Sequence, residues 1–170
     1  MAAPLTNCDL RTRRAWHSLC RDVDVTTKPR AFKLLGENWV AYRDQEGHAV
    51  VFKDRCPHRL APLSLGTCEG SDIRCPYHGW KFDKNGNAVE IPALGDRDTF
   101  PPRAKLEGPA GIHESHGMVF IAPEAPLTPA PTVAAAFDNT YMRGDLPVLR
   151  TRGNCGLLAD NFLDMAHFPF

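Results

Sequence analysis

The residues best suited to chemistry lie in two short runs, Cys56-Pro57-His58 and Cys75-Pro76-Tyr77-His78. Each run places one thiol and one imidazole on a single tight loop. The proline after each cysteine has no backbone donor and stiffens its loop, while Gly79 permits a close backbone turn after the second run. The pattern predicts a metal site that takes two sulfur and two nitrogen ligands.

Two kinds of metal centre suit this ligand set. Zinc commonly binds two cysteines and two histidines, and a zinc-stabilised binding module is therefore one interpretation. Zinc fingers usually pair cysteine with cysteine and histidine with histidine, however, whereas each loop of this chain mixes the two types. Mixed loops favour a binuclear iron–sulfur cluster in which both cysteines bind one iron and both histidines bind the other.

The run CPHRLAPLSLGTCEGSDIRCPYHGWKFD, residues 56–83, resembles the Rieske [2Fe–2S] proteins. Neutral imidazole ligands make an added electron less costly, so Rieske clusters have potentials of about −150 to +300 mV against about −400 mV for plant-type ferredoxins. Respiratory Rieske proteins carry an extra disulfide, and Ala61 and Tyr77 occupy its two positions here, so the resemblance is to the lower-potential branch found in bacterial oxygenases and their ferredoxins. The resemblance implies these cluster ligands: Cys56, His58, Cys75 and His78.

The last residues, DNFLDMAHFPF, resemble the start of the motif N-x-x-D-x-x-H-x-x-x-x-H of Rieske non-haem iron oxygenases. In that resemblance His167 matches the first histidine of a mononuclear Fe(II) site, and Asn161 matches the asparagine of the pattern. Asp164 matches the aspartate that carries electrons between subunits. Asp164 and His167 are spaced i,i+3, so on a helix they share a face, and the carboxylate can accept the N–H of an iron-bound imidazole.

The resemblance is strongest to oxygenase components of the vanillate and dicamba O-demethylase group. It implies that a flavin and iron–sulfur reductase, in some systems with a ferredoxin, passes electrons from NAD(P)H to the cluster. Electrons then cross from His78, through Asp164 of a neighbouring subunit, to the mononuclear iron. There O₂ is activated for hydroxylation or oxidative demethylation of a small organic, typically aromatic, substrate. A homotrimer is expected for the full-length protein.

The second histidine of the motif would fall beyond Phe170, so the chain is expected to carry a truncated catalytic domain. We therefore expect an oxidoreductase as the full-length protein, and no oxygenase activity from the 170-residue chain alone. The alternative is a stand-alone Rieske-type ferredoxin in which residues 123–170 form a docking extension.

Short strands must position these loops, because the chain has 15 prolines and 13 glycines and favours turns over long helices. Asn85-Gly86 is a strong hairpin signal. The apolar runs predict two hairpins, 39–42 with 49–52 and 80–82 with 88–91, and one further strand at 118–122. The predicted fold is mainly β, a Rieske fold of short antiparallel sheets, followed by the start of an α+β catalytic domain.

The same pattern predicts the character of both ends of the chain and its division into four segments. Residues 1–14 are polar and are expected to be loosely attached, and residues 157–167 are expected to form a helix. The predicted domain boundaries are 1–15 for an N-terminal extension, 16–122 for the Rieske domain, 123–132 for a proline-rich connector and 133–170 for the incomplete catalytic domain.

Composition argues against several binding partners and cellular locations. The 20 basic and 20 acidic residues balance, which argues against a nucleic-acid partner. The absence of a long apolar stretch argues against a membrane span, and the first residues lack the apolar core of a secretory signal, so a cytoplasmic protein is expected. Trp80 and Phe82 are expected to pack beneath the cluster. The other cysteines and histidines are expected to be ordinary structural residues: Cys8, Cys20, Cys68, Cys155, His17, His48, His113 and His116.

Overall fold

Short antiparallel strands are the main regular elements of the described chain. The structure is a computed structural model that describes residues 9–97 and 99–133 together with Thr140 and Met142. Contacts divide the chain into a unit Met1–Ala134 and a unit Ala135–Phe170, and the fold below is that of the first unit. One helical turn, α1 (Leu10–Arg13), precedes the strands β1 (His17–Arg21), β2 (Arg30–Leu34), β3 (Glu37–Arg43), β4 (Ala49–Lys53), β5 (Thr67–Glu69), β6 (Asp72–Arg74), β7 (Lys81–Phe82), β8 (Ala88–Glu90), β9 (Gly111–Ser115) and β10 (Met118–Ala122).

The strands form three sheets. Their orders are β1-β10-β9, β2-β3-β4 and β5-β6-β7-β8, and every pairing within them is antiparallel. Short 3₁₀ turns lie at Asp22–Asp24, Leu63–Leu65 and Pro92–Leu94. This architecture confirms the predicted mainly β fold of short antiparallel sheets.

The β2-β3-β4 sheet is the central layer. Side chains alternate between its faces along β3, so Val40 and Tyr42 join one apolar core while Trp39 and Ala41 join another. The central strands are therefore apolar at successive positions, because both of their faces are buried.

The two cores differ in what they contain. The first core lies between the central sheet and the β5–β8 sheet and includes Phe82, Ile73 and both ligand-type cysteines, Cys56 and Cys75. The second core lies between the central sheet and the β1-β10-β9 sheet and includes Ile121. The candidate sulfur ligands are thus part of the hydrophobic packing of one core.

The predicted hairpins are confirmed. Strands β3 and β4 pair from Trp39 opposite Lys53 to Arg43 opposite Ala49. Strands β7 and β8 pair around the turn at Asn85-Gly86, where Gly86 has a φ of 82°. The strand predicted at 118–122 is β10.

The prediction of a loose N-terminus is wrong for residues 9–14. Arg13 O accepts from Glu124 N at 3.1 Å, and Arg14 O accepts from Leu127 N at 3.0 Å. The indole N–H of Trp16 donates to Thr128 O at 3.0 Å. The polar segment is held because the proline-rich residues that follow β10 supply backbone partners for it.

Some expectations fall on residues outside the described part of the chain. They include the helix at 157–167 and the site residues Asn161, Asp164 and His167. The domain boundaries remain predictions. Among the described residues, no helix has the length and apolar character needed to cross a bilayer.

Candidate functional site

The first ligand loop is closed by its own backbone. Cys56 N donates to Ala61 O at 2.9 Å, and Leu60 N donates to Cys56 O at 2.8 Å. To close in this way, Leu60 adopts a φ of 58°, in the left-handed region that few non-glycine residues occupy. The turn carries His58 at its tip.

The second loop repeats this hydrogen-bond pattern at matching positions. Cys75 N donates to Trp80 O at 2.8 Å, and Gly79 N donates to Cys75 O at 3.2 Å. Gly79 has a φ of 71° and occupies the position that Leu60 holds in the first loop. Two loops of different sequence therefore present their cysteines in the same way.

The two sulfurs lie side by side in the first core. Cys56 is 1% exposed and Cys75 is 3% exposed. Burial raises the pKa of the Cys56 thiol to about 12, and the adjacent Cys75 thiol adds to the rise, while the backbone N–H groups of His58 and Arg59 act in the opposite direction. Two neighbouring buried thiolates are unfavourable unless a cation lies against them, so this pair suits a shared metal centre.

The two imidazoles lie next to each other at the protein surface. The ring centroids of His58 and His78 are 4.6 Å apart with the planes at 59°. The Tyr77 ring packs against His78, with the ring centroids 3.8 Å apart and the planes inclined by 37°. The structure therefore brings together all four residues that the sequence analysis selected.

Trp80 contacts this site directly. Its ring stacks on His58 with centroids 4.7 Å apart and planes within 5° of parallel. Phe82 is fully buried in the first core, in keeping with the expected apolar support. The indole of Trp80 covers one face of the imidazole and limits its rotation.

Arg74 supports the second loop and was missed by the sequence analysis. Its guanidinium donates to Gly79 O at 2.8 Å. It also pairs with Glu69 on the adjacent strand β5 and with Glu90 on β8, two strands away in the sheet. The two carboxylates raise the pKa of Arg74, and the guanidinium in turn lowers the pKa of Glu69 to about 2. The only signal in the sequence is an arginine directly before a ligand-type cysteine.

A second support joins the segment between the loops to the first loop. The Asp54 carboxylate accepts from Ser64 N at 2.8 Å and from Ser64 Oγ at 2.6 Å. Gly66 follows closely, and a Cβ at that position would lie 2.1 Å from Arg74 O. These contacts set the position of residues 59–66 against β6.

The remaining described cysteines and histidines have other surroundings. Cys68 packs against the first core and Cys20 against the second. Burial raises the pKa of Cys68 to about 12 and that of Cys20 to about 11. His17 contacts Thr12 O at 2.7 Å. Cys8 and Cys155 lie outside the described residues.

The donor set fits a Rieske-type cluster. Two adjacent buried sulfurs and two adjacent exposed imidazoles provide one sulfur side and one nitrogen side, as mixed ligation of two irons requires. The separation of donor types by burial is a feature of this structure, not of the spacing alone.

Known proteins establish the family. The Rieske [2Fe–2S] domain family matches residues 15–101, and the chain belongs to that family. Among its relatives is the toluene-4-sulfonate monooxygenase system iron-sulfur subunit TsaM1 of Comamonas testosteroni, 31% identical over 162 residues, which are 93% of this chain and 46% of the relative. Another is the methylxanthine N1-demethylase NdmA of Pseudomonas putida, 31% identical over 166 residues, with 93% of this chain and 46% of the relative covered.

The chain also superposes on solved structures of oxygenases and demethylases. A Pseudomonas putida NdmA variant with theobromine superposes with a TM-score of 0.77 at 30% identity, covering 95% of this chain and 50% of the other. Dicamba monooxygenase with non-heme iron and dicamba gives a TM-score of 0.75 at 29% identity, covering 91% and 47%. The chain spans about half the length of the curated relatives that it matches.

Proposed function

We propose that Cys56, Cys75, His58 and His78 hold a [2Fe–2S] cluster. We further propose that the chain is the electron-transfer part of the terminal oxygenase component of a Rieske non-haem iron oxygenase. The observation that carries the proposal is the pair of equivalent loops, which bring two buried sulfurs and two exposed imidazoles together. When bound, such a cluster takes up and releases single electrons at a potential that histidine ligation raises.

The surrounding residues have defined tasks in this proposal. The first core keeps water from the two sulfurs. Trp80 and Tyr77 each cover a face of one imidazole and hold its orientation. Arg74 holds the Gly79 carbonyl, which keeps the second loop closed. Contacts that residues make to a metal ligand or its loop set the orientation of the ligand and tune the centre.

The activity of the whole protein is also a proposal. It is supported by relatives whose names describe monooxygenase and demethylase subunits. In this proposal an NAD(P)H-dependent flavin and iron–sulfur reductase supplies electrons, and O₂ and a small organic molecule are the substrates. His167 would belong to a mononuclear Fe(II) site, with Asp164 as the electron bridge from a neighbouring subunit of a trimer and Asn161 close by. The cytoplasm is the proposed compartment.

Anaerobic reconstitution of the chain tests the cluster. We expect two irons and two sulfides per chain, a red-brown colour, and a rhombic spin-resonance signal with couplings to two histidine nitrogens. Cys56→Ala and His58→Ala should abolish this signal, while Cys68→Ala and His48→Ala should retain it. A colourless protein that binds one zinc ion would contradict the proposal.

A second experiment tests Asp164 in a protein that carries a complete catalytic domain. Asp164→Asn is expected to leave the Rieske spectrum unchanged and to lower turnover by about 10–100-fold or more, as loss of a charged contact to a metal ligand does. Wild-type turnover would remove Asp164 from the mechanism.

A further inference from the structure

The tip of the β7–β8 hairpin carries a reactive dipeptide. Asn85-Gly86 is the only Asn-Gly step in the sequence. At such a step the backbone nitrogen of the glycine can attack the side-chain amide of the asparagine, because glycine has no Cβ to block the approach. Asn85 is exposed to water, whereas Gly86 is buried. The tip therefore offers both the amide and the water that this conversion consumes.

The turn holds the attacking nitrogen in place. Gly86 N donates to Asp83 O at 2.9 Å, and Gly86 O accepts from Leu106 N at 2.8 Å. The Asp83 carboxylate closes the same turn, because its Oδ1 accepts from Asn85 N at 2.9 Å and from Asn87 N at 2.8 Å. Gly86 N must leave the Asp83 carbonyl before it can reach the Asn85 side chain. The closed turn therefore opposes the attack.

Gly86 also has little room to move. A Cβ built on this residue would lie 3.0 Å from Leu106 O and 3.0 Å from Cε1 of Phe52. Leu106 and Phe52 both belong to the first core. The same core contains Cys56 and Cys75. An extra backbone atom next to Gly86 would therefore displace residues of the core that surrounds the two sulfurs.

We infer that Asn85 is a site of spontaneous deamidation that Asp83 slows by holding the turn closed, and that the isoaspartyl product loosens the first core. The reaction needs an open turn, so its rate follows the fraction of time for which the turn is open. Once the product has formed, the lengthened backbone no longer fits the contacts of Gly86 with the first core. The consequence for iron rests on the proposed function, whereas the conversion itself does not.

The chemical step is balanced with water as the co-reactant. The nitrogen of Gly86 bonds to Cγ of Asn85, and the Cγ–Nδ2 bond breaks to release ammonia, which takes up the proton of the Gly86 N–H. Water then opens the succinimide ring at either carbonyl. Opening on the Cγ side leaves aspartate, whereas opening on the main-chain side leaves isoaspartate and adds one atom to the backbone. Nothing is oxidised or reduced.

Peptide mapping by mass spectrometry, after incubation of the chain at mildly alkaline pH, tests the site. Isoaspartate is counted by methylation with an isoaspartyl methyltransferase and S-adenosylmethionine. Conversion is expected at Asn85 but not at Asn87, because Ala88 has a Cβ and its N–H donates to Ala104 O at 3.1 Å. Asn85→Gln should abolish the signal, since glutamine would have to close a larger ring.

Asp83→Ala tests the closure of the turn. Loss of the two backbone hydrogen bonds that its carboxylate accepts should raise the conversion rate at least about tenfold. A synthetic peptide of residues 81–90 should also convert faster than the folded chain. Asp22→Ala is the matched control and should match wild type, because Asp22 Oδ1 accepts the N–H of Val23 in the separate turn before β2. Equal rates in the peptide, wild type and Asp83→Ala would overturn the role of Asp83.

Asn85→Asp separates the effect of charge from that of the backbone. This variant and the purified isoaspartyl chain carry the same added charge, but only the isoaspartyl chain has the extra backbone atom. The isoaspartyl chain should lose iron to a chelator at least about fivefold faster than wild type, by the strain of overpacking. Asn85→Asp should match wild type. Equal rates in the two chains would overturn the link to the first core.

The outcomes are distinct. If the chain holds no iron, the proposed function fails while mass spectrometry still decides the deamidation site. The denaturant midpoints of the isoaspartyl chain and of Asn85→Asp then decide the link to the first core. If Asn85 stays intact in Asp83→Ala while the peptide converts, the deamidation site is overturned and the proposed cluster is unaffected.

Discussion

Leu60 occupies the position in the first loop that a glycine occupies in the second. Its φ of 58° is costly for any residue with a Cβ, by roughly 1–2 kcal/mol. Its side chain is 67% exposed, so little burial offsets that cost. The strain is located where Leu60 N closes the turn on Cys56 O, next to a proposed ligand. Strain of this kind persists when surrounding contacts hold the backbone in place.

Leu60→Ile tests this strain. A β-branched residue is tolerated at positive φ less well than leucine is. We therefore expect the variant to lose unfolding free energy, by about 0.5–3 kcal/mol. The measurement is the denaturant midpoint of the reconstituted protein. Leu65→Ile is the matched control, because Leu65 is 73% exposed and is not among the positive-φ residues; it should change stability by less than about 0.5 kcal/mol. Equal losses in the two variants would argue against strain at Leu60.

At the scale of elements, the β5–β6 hairpin and β8 hold the second ligand loop through one guanidinium. Arg74 ends β6, Glu69 ends β5 and Glu90 ends β8, so the guanidinium pairs with one adjacent strand and, across β7, with a second strand. The same guanidinium donates to Gly79 O. Loss of these ion pairs therefore loosens both the sheet and the loop that carries His78.

The pH dependence of stability tests the Glu69–Arg74 pair. The pKa of Glu69 is lowered from 4.5 to about 2, chiefly by its hydrogen bond from Arg74. A lowered pKa stabilises the fold above the unfolded value, and this stabilisation is lost as pH falls through 4.5 towards 2. Glu69→Gln should therefore be less stable than wild type at pH 6, and the difference in urea midpoint should shrink on acidification.

Removal of the partner provides the control. In an Arg74→Gln background, Glu69→Gln should change the pH dependence of the midpoint much less, because the largest cause of the lowered Glu69 pKa is gone and only Lys81 still lowers it. A constant difference between Glu69→Gln and wild type from pH 6 to pH 2 would exclude the pair as a source of stability.

Gly66 tests how closely the segment between the loops packs on β6. A Cβ at Gly66 would lie 2.1 Å from Arg74 O, whereas a Cβ at Gly108 would approach nothing closer than 3.4 Å. Gly66→Ala should therefore cost about 1–3 kcal/mol through overpacking and lower iron content after reconstitution. Gly108→Ala should leave stability within about 0.5 kcal/mol and iron content unchanged. If Gly66→Ala resembled Gly108→Ala, the close contact would not hold in solution.

At the scale of the molecule, one central sheet is shared by two cores with different tasks. Both cores stabilise the fold, but only the first contains Cys56 and Cys75. Ligand geometry therefore depends directly on packing in the first core, and only through the central sheet on packing in the second.

A matched pair of isoleucine substitutions tests which core supports the ligand site. Ile73 lies in the first core and Ile121 in the second, and both are 0% exposed. Ile73→Val and Ile121→Val should each cost about 0.5–1.5 kcal/mol. Only Ile73→Val is expected to speed iron loss to a chelator, measured by bleaching of the visible absorption. Equal rates of iron loss at equal stability would show that the two cores support the site alike.

Local sequence determined much of this protein. The ligand-type residues could be selected because their chemistry and spacing are visible within each loop, and the two hairpins because turn residues and alternation act over a few positions. The short strands β5 and β6 could not be predicted, because three residues are too few for a periodic pattern to show.

Tertiary structure alone decided the surroundings of the site. It placed Trp80 flat on His58, brought Arg103 beside Arg59, and held the N-terminal segment against residues 124–128. These contacts join residues that are distant in the chain or project from separate turns. They arise only when three sheets pack together, and no local periodicity records which surfaces will meet.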